Sequence, residues 1–222
     1  MMKFYLFIFI FIIFISKNLY SNETSEWLKK EIDIILEAYK NENLTNKNRF
    51  LLIEKTINNN FAGTGIAKFV AGEAWKKSDK NTKKIYIDNF KRHLALNIAS
   101  MMQGYSDQTY ELTKSKYDSK NQVTLIDMEI FSETGSVVVT WRVKESKDQF
   151  YVIDLIVADI SLVVTKRSEF NSMLKKVDND LSKFNEVLFD QNQISYQKIT
   201  ELHHIKFLII VLNFLFLLQL IF

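Results

Sequence analysis

Residues 150–188 read FYVIDLIVADISLVVTKRSEFNSMLKKVDNDLSKFNEVL, and their apolar period changes partway along. From Phe150 to Val157 nearly every residue is apolar and β-branched or aromatic, the pattern of a strand covered on both faces, with Asp154 the one charge inside it. Ala158 and Asp159 form a short turn, and Ile160 to Val164 resumes a β-type run. Phe170, Met173, Leu174, Val177, Leu181, Phe184 and Leu188 then recur at spacings of three and four, which puts one apolar stripe on a long helix. Two apolar strands feeding an amphipathic helix predict a layered unit, because both strand faces and the helix stripe need cover.

Upstream of this stretch lies a β half. Thr109–Tyr117, Gln122–Phe131 and Val137–Val143 read as strands, and in the last Val137, Val139, Trp141 and Val143 alternate with Val138, Thr140 and Arg142. Ser132–Ser136 contains a glycine and joins two of them as a hairpin. Further upstream the period is helical. Leu28, Ile32, Ile35, Leu36 and Tyr39 form a stripe on a helix over Trp27–Tyr39, Phe50–Ile57 makes a second, and Gly63 with Gly65 opens a third through Trp75. Asn81–Tyr105 is a long helix with Tyr86, Phe90, Leu94, Ile98, Met101, Met102 and Tyr105 along one side. The fold class is therefore α+β: N-terminal helices across a curved antiparallel sheet of four or five strands, closed by a C-terminal helix.

Two segments carry a resemblance. The run Asp154–Phe170 (DLIVADISLVVTKRSEF) is similar to the signature of the MlaC family of periplasmic phospholipid carriers, also known as toluene-tolerance auxiliary proteins. Asp154, Ser161, Leu162, Arg167, Ser168 and Phe170 fall in place, whereas Ala158 and Asp159 stand where that family has Glu-Gly. The turn survives there only if Asp takes a backbone position usually given to Gly, which it does better than most residues. Phe69–Tyr105 agrees through Gly72, Trp75, Tyr86, Phe90 and Tyr105, and the resemblance spans about residues 25–189.

The resemblance implies an NTF2-like cone that binds the acyl chains of a phospholipid in an apolar cavity. The expected lining is Val139, Trp141, Val152 and Ile156 from the sheet with Phe90, Leu94, Met101, Phe170 and Leu174 from the helices. It further implies a monomeric carrier that moves lipid between outer and inner membranes and so maintains outer-membrane lipid asymmetry and solvent tolerance. Its partners would be an inner-membrane ABC-type lipid transport complex and an outer-membrane lipoprotein–porin complex. Lifting a diacyl lipid from a bilayer exposes on the order of thirty methylenes at about 0.8 kcal/mol each, so the cavity must offset about 20 kcal/mol.

The two ends of the chain are apolar. Residues 1–21 carry one early positive charge at Lys3 and an uncharged run from Phe4 to Ile15, the pattern of a secretory signal peptide and hence of a periplasmic destination. The domain is expected over 22–189, with a polar helical linker over 190–206. An uncharged stretch, Phe207–Phe222, follows and reads as a C-terminal membrane anchor. Net charge is +3, and omitting Lys3 and Lys17 leaves 27 basic against 26 acidic side chains, no footprint for nucleic acid.

Covalent chemistry finds little support. Cysteine is absent, which removes disulfides and thiolate sites together. The three histidines, His93, His203 and His204, form no metal-ligand spacing, and neither metal nor cofactor is expected. Asp154 has two readings. It could act as a raised-pKa acid beside His93 in a cone-fold hydrolase or isomerase. It could instead form a structural pair with Arg142 or Arg167, which the usual compensation of buried charge favours. A membrane-tethered interaction module is the remaining alternative, resting on the C-terminal stretch.

Overall fold

The computed structural model describes residues 22–105, 108–133 and 135–200. The signal peptide and membrane-anchor readings, with the last residues of the expected linker, lie outside these. Helix α1 spans 22–40. It is followed by α2 (Asn46–Asn60), α3 (Gly63–Ala71), α4 (Glu73–Lys77) and α5 (Lys80–Met102). Five strands come next: β1 (Thr109–Asp118), β2 (Val123–Ser132), β3 (Gly135–Ser146), β4 (Gln149–Val157) and β5 (Ile160–Ser161). Helix α6 (Leu162–Lys175) and helix α7 over 181–200 complete the described chain. The sheet is an antiparallel meander in the order β1-β2-β3-β4-β5, so each strand pairs with its chain neighbour. Mixed helices on such a sheet make the α+β class expected from the pattern.

Local chemistry sets the boundaries. Asp79 caps α5, accepting from the backbone N–H groups of Asn81 and Thr82 at 2.7 and 3.0 Å. Gly72, at φ +55 and ψ −120, separates α3 from α4 in a region that a β-carbon disfavours. The β3–β4 and β4–β5 loops have two residues each, and both residues of each loop are left-handed: Lys147 and Asp148 (φ 54 and 59), Ala158 and Asp159 (φ 48 and 63). That is the backbone a two-residue hairpin needs to match the twist of its strands.

Two expectations for residues 160–188 are corrected. Ile160–Val164 is not a full strand, because Ser161 caps α6 by accepting from Val164 N–H at 3.1 Å, and Leu162 already lies in the helix. The single long helix is two. Left-handed Asp178 and Asn179 (φ 58 and 55) break it, and Asp180 restarts it by accepting from Ser182 N–H at 2.8 Å. The expected linker is corrected as well, since α7 runs on to Thr200 with Asn192 and Ile199 buried, so 190–200 belongs to the packed body.

Candidate functional site

Alternation along β2 and β3 puts Thr124, Ile126, Met128, Val139, Trp141 and Val143 on one face of the sheet. On β4 the alternation breaks. Arg142 pairs with Asp154 and Val143 with Val152, so Ile153 is an extra residue, a β-bulge. Val152 and Leu155 therefore join the apolar face, while Asp154 and Ile156 turn to the other. Helix α1 lies on the apolar face, where Leu28 packs with Ile126, Val143 and Val152, and Trp27, Ile32, Trp141 and Leu155 surround them. A polar tie fixes α1 to β1, since the Tyr110 hydroxyl donates to Asp33 at 2.6 Å. Hydrogen bonds from Lys29 and Tyr110 hold the Asp33 carboxyl below its ordinary range, and burial with that same carboxylate pushes the Tyr110 hydroxyl up.

The helices build two further apolar clusters. One joins α3–α7 through Ile66, Val70, Tyr86, Phe90, Phe170, Leu174 and Phe184. Phe170 meets Phe90 and Phe184 edge to face, with centroids 5.8 and 5.1 Å apart. The other joins α2, α5 and α7 through Phe50, Ile53, Ile57, Leu96, Ala99 and Ile199. Phe61, in the turn after α2, packs against all three clusters. It pairs with Val152 as an isolated bridge, and Ala62 N–H donates to Val152 O at 3.0 Å. The helical layer and the apolar sheet face thus meet at one aromatic ring.

The nine residues expected to line one cavity separate into groups. Val139, Trp141 and Val152 share the apolar sheet face, but Ile156 pairs with Thr140 on the opposite face because of the bulge. Phe90, Phe170 and Leu174 are fully packed within the helical cluster. Leu94 touches both helical clusters, and Met101 is 73% exposed at the end of α5. Leu174 also borders a cleft of about 330 Å³ between α3–α4 and α6, whose other walls include Val164, Arg167, Ser168, Asn171 and Asn179. That volume is at the low end for small-molecule pockets, roughly 300–1,000 Å³, and the walls are mixed polar and apolar. Phe61 was missed because no periodicity marks a lone aromatic in a turn.

Buried polar atoms distinguish structure from chemistry. Asp154 is 5% exposed and accepts from Leu155 N–H (2.9 Å), Val163 N–H (3.1 Å) and the Ser161 hydroxyl (2.7 Å). Arg142 lies 3.5 Å from it, whereas Arg167 donates to Phe69 O, so the structural pair is with Arg142. The carboxylate thereby ties β4, β5 and the first turn of α6 together. His93 faces other partners, with Nδ1 3.2 Å from Asn192 Oδ1 and its ring against Phe170. Burial, and then the nearby Lys166 charge, pull its pKa down to about 4. Among the described residues, His93 Nε2, Trp141 Nε1 and the Tyr86 hydroxyl are buried with no hydrogen-bond partner. Among them also, no helix is long and apolar enough to cross a membrane.

Comparison with known proteins agrees with this architecture. No curated protein matches the chain. A solved structure of a phospholipid-binding protein from Ralstonia solanacearum, determined in complex with a phospholipid, superposes with a TM-score of 0.67 at 16% identity. The match covers 79% of this chain and 98% of that one, and at this identity it speaks for the fold. The model of the MlaC protein family matches residues 29–188, which takes in α2–α6, the whole sheet and the apolar face beneath α1. By that match the chain belongs to the MlaC family.

Proposed function

We propose that this protein is a periplasmic phospholipid carrier, holding acyl chains against the apolar face of its sheet and passing lipid between outer and inner membranes. Family membership supports a carrier, and the similar Ralstonia solanacearum protein was solved with a phospholipid. The observation that carries the reading is the wall formed by Val139, Trp141, Val152 and Leu155. One amphipathic helix covers it, and Phe61 joins it to the helical interior. Leu94, from α5, bridges the two helical clusters against which Phe61 also packs.

In the described conformation Phe61 packs against all three apolar clusters at this junction, where an empty hollow would forfeit dispersion contacts. Acyl chains enter as α1 lifts from the sheet, and the methylenes they bury, at about 0.8 kcal/mol each, offset the contacts α1 gives up. No covalent step is required. Binding by methylene burial predicts weak dependence on head group and strong dependence on chain length. Exchange with an inner-membrane ABC-type complex and an outer-membrane lipoprotein–porin complex would complete the route that maintains outer-membrane asymmetry.

The test uses the sparse tryptophans. With Trp27 and Trp75 replaced by Phe, Trp141 is the remaining indole, and phospholipid with brominated acyl chains should quench it on uptake. Mass spectrometry of organic extracts from the purified chain should detect bound phospholipid. Protein that carries no lipid and takes none from vesicles would end the carrier reading, and uptake without quenching would move the chains away from the sheet.

A further inference from the structure

Helices α3, α4 and α6 carry six basic residues, Lys68, Lys76, Lys77, Lys166, Arg167 and Lys175, against two acidic ones, Glu73 and Glu169. This is a surplus of four positive charges in a chain whose net charge is +3. Both acids are already engaged, Glu73 with Lys76 at 2.7 Å and Glu169 with Lys166 at 2.6 Å. Helix α5 carries a similar surplus, so what marks this layer is that exposed apolar side chains accompany its cations. The same layer exposes apolar side chains without burying them in the core: Ile160 (59%), Val164 (56%), Phe69 (43%) and Leu162 (38%).

These residues are joined structurally. The Arg167 guanidinium lies over the Phe69 ring at 4.4 Å and donates to Phe69 O at 2.7 Å. Val164 and Arg167, one turn apart on α6, both border the cleft against Val70–Ala74. The left-handed Ala158–Asp159 turn projects Ile160 beside the start of α6. Exposed aliphatic side chains on a layer with surplus positive charge suit the interface of an anionic bilayer. Apolar groups enter the acyl boundary there, and each basic residue near the surface adds electrostatic attraction. A protein partner would be expected to offer a shaped apolar pocket, and scattered aliphatics between lysines do not require one.

We infer that the α3–α4–α6 layer, centred on Val164, Phe69 and Arg167, is the surface by which this protein docks on an anionic phospholipid bilayer. The inference rests on the carrier reading and adds to it the place of contact with the donor or acceptor membrane. Cargo enters at the apolar sheet face, while docking uses a separate set of side chains, so the two can be broken independently.

The chain has no cysteine, so single-cysteine labelling of the full-length protein is direct. An environment-sensitive fluorophore is attached at Val164→Cys or Ile160→Cys, and at Lys116→Cys on β1 as the control. Each is mixed with phosphatidylcholine vesicles, with and without phosphatidylglycerol, at low and high salt. Emission at 160 and 164 should rise at least about twofold and shift blue on the anionic vesicles, fall back in salt, and stay unchanged at 116. Val164→Glu supplies a second arm. Together with the Ser161 cap it completes a capping box, so α6 keeps its fold while docking weakens. Lys68→Glu with Lys77→Glu should lower anionic-vesicle affinity about tenfold or more. Equal responses at all three sites, no response at 160 and 164, or equal responses on neutral and anionic vesicles would each overturn the inference. Phospholipid uptake by the same variants separates this failure from failure of the carrier reading.

Discussion

The Asn192 side-chain amide donates to Asn89 O at 2.9 Å, and the two residues are 103 positions apart in the chain. Asn185 repeats the relationship one heptad earlier, donating to Thr82 O at 3.1 Å across the same 103-residue offset. Buried Leu96 and Ile199 continue the series one heptad later. A constant offset with both chains rising together makes α5 and α7 parallel neighbours. Asn185 and Asn192 fix their register along this seam by donating to backbone carbonyls of α5, and the Asn89 amide returns a bond to Asn185 O at 3.2 Å. Asn192 also places its carbonyl oxygen against His93 Nδ1, so one side chain serves both helices.

Asn192→Ala should therefore cost more than its volume suggests. It removes the bond to Asn89 and leaves His93 Nδ1 without its partner in a buried site. A loss of about 2–3 kcal/mol is expected, read as a lower urea midpoint with little change in slope. A loss below about 0.5 kcal/mol would mean that water replaces the amide and that the seam is not register-setting.

His93 makes stability depend on pH. Its folded pKa is about 4, below the ordinary value near 6.5, so the unfolded chain binds the proton more readily. The stabilisation is complete above about pH 6.5 and is lost progressively as pH falls toward 4, amounting to about 3 kcal/mol at the acid end. The wild type should lose urea stability steeply through this window, and His93→Gln should flatten that part of the profile. An unchanged profile in the variant would assign the acid sensitivity to carboxylates instead.

The Ala158–Asp159 turn offers a stabilising change. Ala158 is held at φ 48, where a β-carbon is unfavourable and its side chain has no polar group to compensate. Ala158→Gly should raise stability by up to about 1 kcal/mol, and Asp159→Gly by less, since Asp tolerates the left-handed region better. Thermal unfolding of both variants gives the comparison, and destabilisation by Ala158→Gly would show that its methyl group packs usefully.

Much of this fold is legible in the residue pattern. Alternation in β3 and the apolar stripes of α1 and α5 report faces that contact water on one side, and such faces leave a period. The missed features leave none. The Ile153 bulge inverts the parity of β4 within an almost uniformly apolar run, so Val152 and Ile156 look equivalent although they point to opposite faces. The break at Asp178–Asn179 falls between Val177 and Leu181, whose spacing of four mimics an intact helix. Asn185 and Asn192 carry no sequence signal of burial, because their partners are backbone carbonyls and no residue pattern records those. Of the residues expected at the site, alternation places Val139 and Trp141 on one sheet face, whereas nothing in the pattern marks the ring of Phe61 that packs beside Val152.

Asp154 gives the clearest separation between structure and catalysis. Its carboxylate receives two backbone N–H groups and the Ser161 hydroxyl, and it stands 3.5 Å from Arg142. In Asp154→Asn the side-chain oxygen can still accept from Leu155 or Val163, but the amide nitrogen cannot accept from Ser161, and Arg142 loses its counter-charge. Asp154→Ala removes every acceptor and leaves the half-buried Arg142 uncompensated, at a cost of about 3–5 kcal/mol, with Asp154→Asn below that. Because the damage falls on the β4–β5–α6 junction and on the sheet face opposite Val152, phospholipid uptake per folded molecule should match wild type. Urea unfolding measures the first effect, and vesicle uptake normalised to folded protein measures the second. If Asp154→Asn folded with full stability yet lost uptake or some unassigned turnover, the carboxylate would have a chemical role, and the structural assignment of the Arg142 pair would be wrong.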